Sequence, residues 1–90
     1  MSVEINIHPA LLSFTNNQDL VQVNGSTVGQ CLEQLVARFP NVKERLFDKD
    51  GKLLSHVDLY VNGEGAYLEE LAKPVNDGDE LHIILMISGG

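Results

Sequence analysis

The sequence predicts an α+β fold, with a mixed sheet wrapped around one main helix. Three observations lead there. Apolar residues recur at helical spacing from Val28 to Phe39. Segments near both ends and in the middle alternate apolar and polar residues, as half-buried strands do. Asn-Gly and Asp-Gly pairs punctuate the chain between them.

The first strand is Val3-Glu4-Ile5-Asn6-Ile7, ended by Pro9. After a loop through Thr15-Asn16-Asn17, Asp19 to Val23 reads as a second strand, and Asn24-Gly25 as a turn. The helix follows. Val28, Cys31, Leu32, Leu35, Val36 and Phe39 lie at offsets of 3, 4, 7, 8 and 11 from the first, one continuous stripe. Thr27 is placed to N-cap it, with Gln30 three residues on to close a capping box. Pro40 stops it.

Asn41 to Phe47 reads as a short helical turn, with Val42, Leu46 and Phe47 tucked under the domain. Asp50-Gly51 marks a turn, Val57 to Val61 alternates as a strand, and Asn62-Gly63 reverses the chain. Leu68 to Leu71 is a short excursion, and Pro74 through Asn76-Asp77-Gly78-Asp79 a turn. Glu80 to Ile87 is the last strand. The first two strands can pair as a hairpin, and the last can return beside the first. A sheet closing over one helix buries all these stripes together, which is the β-grasp arrangement. A ferredoxin-like fold would need a second full helix within Val61 to Asp77, a stretch broken by Gly and Pro. The expected organisation is a domain over 1–87 and a flexible Ser88-Gly89-Gly90 tail over 88–90.

Composition narrows the function. A chain of 90 residues buries little more than ~60% of its unfolded surface, enough for one core and too little for a deep cleft. The net charge is −7, which disfavours nucleic acid and anionic membranes, because phosphate binding needs Lys and Arg. A basic protein partner fits that charge. One cysteine, Cys31, excludes an internal disulfide scaffold. It lies on the apolar stripe and reads as a structural core residue, since a persulfide carrier needs an exposed, activated thiolate. His8, His56 and His82 fall on different elements, so no metal site is expected. MSVEINIH has no basic region followed by a long apolar run, and Ile83 to Ile87 is too short to span a bilayer. A cytoplasmic location is expected. No Walker loop and no nucleophile beside a base is present, so the chain does not read as an enzyme on its own.

Two glycines close the sequence, a chance event in roughly 0.5% of chains at ordinary Gly frequency. They directly follow the last strand of the expected β-grasp domain. Here the sequence resembles the MoaD/ThiS family of ubiquitin-like sulfur carriers. The residues that carry the resemblance are Thr27-Val28-Gly29, Glu44-Arg45-Leu46, Leu59-Tyr60-Val61-Asn62-Gly63-Glu64, Asn76-Asp77-Gly78-Asp79-Glu80-Leu81 and Ser88-Gly89-Gly90. The length and Glu44-Arg45-Leu46 look more like MoaD-type members, including the carrier of a bacterial cysteine-synthesis route. Many MoaD-type members have proline shortly before the final glycines. Here that stretch is Ile84-Leu85-Met86-Ile87.

The resemblance implies a sulfur carrier that binds no cofactor itself. A ubiquitin-activating-like adenylyltransferase would use ATP to join AMP to the Gly90 carboxylate. Sulfur would displace AMP to leave a thiocarboxylate, and a sulfur-accepting synthase would take the sulfur for molybdopterin, thiamine, tungsten cofactor or sulfur amino-acid synthesis. Gly89 and Ser88 would form the slender tail, because glycine has no Cβ to clash in a narrow channel. Alternation puts Leu81, Ile83, Leu85 and Ile87 on one face of the last strand and His82, Ile84 and Met86 on the other. The second set is the expected partner-docking face, against the alternative that loops around Phe14 or Phe47 cover it. Asp77 and Asp79 read either as turn chemistry or as a salt-sensitive contact with basic residues of the activating enzyme. Two other classes stay open: a modifier joined through Gly90 to target lysines, and a β-grasp interaction subunit with no chemistry at its tail.

Overall fold

The structure, a computed structural model, describes residues 1–66 and 70–86. Among the described residues, five strands form one sheet: β1 (Ser2–Asn6), β2 (Leu20–Asn24), β3 (Val57–Val61), β4 (Glu64–Gly65) and β5 (Glu80–Leu85), in the order β2-β1-β5-β3-β4. β1 and β5 run parallel, and the other neighbours run antiparallel. The helices are α1 (Val28–Arg38) and the single turn α2 (Lys43–Leu46). The 3-10 helices Pro9–Phe14, Pro40–Val42 and Glu70–Ala72 fill connections. This is the expected β-grasp fold.

The core lies between α1 and one face of the sheet. Val28, Cys31, Leu32 and Leu35 of α1 have no exposed surface, and Val3, Ile5, Leu81 and Ile83 meet them from the two central strands. Burying a leucine such as Leu32 or Leu35 stabilises the fold by about 2 kcal/mol. Val42 and Leu46 are fully buried and Phe47 packs against the same core, as the sequence predicts. Thr27 Oγ1 caps α1 by accepting the Gln30 N–H at 3.2 Å. Gln30 Oε1 returns the contact one residue earlier than a standard capping box, accepting the Ser26 N–H at 2.7 Å.

Several local expectations change. Pro9 opens a 3-10 helix where a loop was expected; His8 Nδ1 accepts the Ala10 N–H at 3.0 Å to cap it. Six residues with Leu11 alone buried show no helical period to read. β4 has two residues, too few for alternation to show. Gly25 is not a left-handed turn residue. A Cβ there would lie 3.0 Å from both Cys31 N and Cys31 Sγ, so the glycine lets the chain pass close under the start of α1. β5 ends at Leu85. Ile87, the expected end of the strand, and the expected domain boundary at 87/88 lie outside the described residues, as does Leu68.

Candidate functional site

β5 delivers the chain to the expected reactive end. Ser88, Gly89 and Gly90 themselves lie outside the described residues. The last described residue, Met86, donates its N–H to the His56 carbonyl at 2.7 Å. The end of β5 is thereby held against the entry to β3.

Burial along β5 follows the predicted alternation. Leu81 and Ile83 are buried under α1, whereas Ile84 is 37% and Met86 53% exposed. His82 shares their face, with its side chain 39% exposed. Phe14 and Phe47 pack against the core and leave this face open. Phe14 also lies under the Arg45 guanidinium, 4.7 Å from its ring centre.

The sheet brings further residues to the same face. His82 is the register partner of Asn6 on β1 and of Tyr60 on β3, and Ile84 is the partner of Asp58. Tyr60, Gly63, His82 and Ile84 line a shallow depression there. Asn6 Nδ2 lies 3.5 Å from His82 Nε2, and Glu80 Oε1 3.8 Å from the same nitrogen. Asn6, Asp58 and Tyr60 are partners that the strand pattern alone does not assign. Only the strand order puts β1 and β3 on either side of β5.

Asp77 and Asp79 sit apart from the apolar part of this face, and both bind the chain itself. Asp77 Oδ1 accepts the Ser2 N–H at 2.7 Å. Asp79 Oδ1 accepts from Asn62 Nδ2 at 2.9 Å, and Oδ2 accepts the Asn76 N–H at 2.8 Å. These hydrogen bonds, the Asn76 N–H first, hold the Asp79 carboxyl below its ordinary range. Gly78, with φ +88°, supplies the left-handed position of this turn.

Cys31 is fully buried, and burial pushes its thiol up. That suits the core residue expected from the sequence. The three histidines are used separately: His8 caps a helix, His56 offers its carbonyl to Met86, and His82 lies on the open face. Among the described residues, no helix is long and apolar enough to cross a membrane.

A β-grasp sheet with an open, partly apolar face on its final strand defines a ubiquitin-like domain. Comparison with known proteins narrows the class. The ThiS family model matches residues 9–90. Small archaeal modifier protein 1 of Haloferax volcanii is 41% identical over 71 residues, 78% of each chain. In the crystal structure of the Amycolatopsis orientalis BexX/CysO complex, the matching chain superposes with a TM-score of 0.90 at 30% identity, covering 98% of this chain and 99% of that one. Mycobacterium tuberculosis CysO superposes with a TM-score of 0.87 at 33% identity, covering 94% and 99%. The chain belongs to the ThiS family, among the ubiquitin-like sulfur carriers and modifiers.

Proposed function

We propose that the chain carries sulfur as a thiocarboxylate on Gly90. One carboxylate oxygen attacks the α-phosphorus of ATP on a ubiquitin-activating-like adenylyltransferase, and pyrophosphate leaves. A hydrosulfide-equivalent nucleophile then attacks the acyl carbon, and AMP leaves with the C–O bond electrons. A synthase accepts the sulfur, in cofactor or sulfur amino-acid synthesis. The observation that carries this reading is the family match, which runs through the last strand to Gly90. Likeness to CysO chains, one of them in a complex with BexX, supports work with partner enzymes.

On this reading His82, Ile84 and Met86 dock the partner, while Asp77 and Asp79 at the edge add contacts that weaken with salt. Ordering a tail costs of order 1–2 kcal/mol per residue, so the folded face supplies most of the affinity.

A second reading has its own support. The 41% identity to a small archaeal modifier protein favours conjugation of Gly90 to target lysines. Mass spectrometry of protein from its native cell separates the two. Replacement of one oxygen by sulfur supports the carrier, and lysine-linked adducts support the modifier. Only the plain carboxylate, after incubation with the activating enzyme, ATP and a sulfur donor, would sink the carrier reading.

A further inference from the structure

The sheet has a one-sided charge distribution. All six Lys and Arg residues, Arg38, Lys43, Arg45, Lys49, Lys52 and Lys73, lie outside the five strands. The strands carry Glu4, Asp58, Glu64 and Glu80. Glu4 and Glu80 are register partners on the adjacent parallel strands β1 and β5, and both belong to the open face. Adjacent strands are about 4.8 Å apart, and like charges directly opposite each other oppose pairing. Among the described residues, the one basic side chain within 4 Å of this pair is the His82 imidazole, with Nε2 3.8 Å from Glu80 Oε1. In the free chain the repulsion has no Lys or Arg to relieve it.

Resting on the docking reading above, we infer that the Glu4/Glu80 pair receives an arginine or lysine from the activating partner. The occupant is a basic protein surface, because it meets a cation-free sheet on a chain of net charge −7. A guanidinium suits two neighbouring carboxylates, since its planar fork presents several donors at once. Ile84 and Met86 lie four and six residues beyond Glu80 along the chain. At strand rise this puts the apolar contact about 13 to 20 Å from the acidic pair. The partner thus presents a basic side chain at one end of an extended face and an apolar patch at the other. Association relieves the repulsion and shields the apolar patch together.

The test measures binding of the intact chain to the ubiquitin-activating-like adenylyltransferase of the same organism by calorimetry across a salt series. Thermal melts and thiocarboxylate formation are followed in parallel. Glu4→Gln and Glu80→Gln should keep or raise the melting temperature yet weaken binding, the double variant by about tenfold, and flatten its salt dependence. Glu80→Lys should weaken it further. A merely structural role would not move stability and affinity in opposite directions. Binding unchanged in the Gln variants and in Glu80→Lys would overturn the inference while leaving the carrier reading to its own mass measurement. Charge-dependent binding without acyl-adenylate or thiocarboxylate would sink the carrier reading and sustain the inference. Absence of binding by the wild-type chain would overturn both.

Discussion

Asn62 and Asp79, 17 residues apart in sequence, are joined by a 2.9 Å hydrogen bond from Nδ2 to Oδ1. The same Asn62 accepts the Glu80 N–H through Oδ1 at 2.9 Å. One side chain thereby ties the β3–β4 turn to the start of β5. Asn62 has φ +51° and Gly63 φ +86°, the left-handed pair of a tight hairpin turn.

Asn62→Ala removes both hydrogen bonds and places an alanine in a left-handed conformation. A loss of about 2 kcal/mol in chemical denaturation is expected. Asn62→Gly keeps the backbone freedom and loses only the hydrogen bonds, for about 1 kcal/mol. Equal losses in the two variants would refute the separate role of the backbone conformation.

The Asp79 carboxyl is held below its ordinary range by the Asn76 N–H and the Asn62 amide. Its contribution is complete above the unfolded-state value of about 3.9 and is lost as pH falls through the lower folded value. Asp79→Asn should therefore reduce the melting temperature at neutral pH. The gap to wild type should narrow through the acid limb below pH ~4. A gap that stays constant across that limb would count against these hydrogen bonds as its source.

Gly25 and Gly51 separate two uses of glycine. A Cβ at position 25 meets backbone and sulfur of Cys31 at 3.0 Å, whereas one at position 51 meets nothing within 4 Å but has φ +82°. Gly25→Ala should cost about 1–3 kcal/mol through overpacking. Gly51→Ala should cost about 1 kcal/mol through backbone strain alone. Denaturant midpoints of the two variants check this, and a fully tolerated Gly25→Ala would contradict the close approach.

Cys31 should resist thiol reagents in the native state. Its thiol is fully buried, with its proton affinity raised by desolvation. Labelling with a chromogenic disulfide reagent should be slower than in denaturant by on the order of a hundredfold or more, because it waits for opening of the core. Fast native labelling would place the thiol outside the core.

Ile84→Ser should cost about 1–2 kcal/mol of stability, since the residue is only 37% exposed and stands in β5, and the variant should still fold. On the proposed docking role it should lower kcat/KM for adenylation by about tenfold, a loss of about 1.4 kcal/mol. Unchanged adenylation kinetics would remove Ile84 from the docking face.

The sequence by itself determined the local elements. The α1 stripe, the Thr27 cap, the Asn62-Gly63 reversal and the alternation of β3 and β5 are written in residue spacing, because a helix repeats every 3.6 residues and a strand every two. The 3-10 helix after Pro9 and the two-residue β4 are too short for such a period to register. The use of Gly25 depends on how closely α1 passes it. The hairpin of β1 with β2 and the return of the last strand beside the first were also legible; what only the tertiary structure decided is that β3 takes the other side of β5, and the register of each pair. Placing β5 between β1 and β3 puts Glu80 opposite Glu4, and His82 between Asn6 and Tyr60. Residues 76 positions apart meet only when the whole sheet closes over the helix. Each strand's pattern specifies which face it buries and leaves the place of β3 and the registers to be set by the packing of the complete fold.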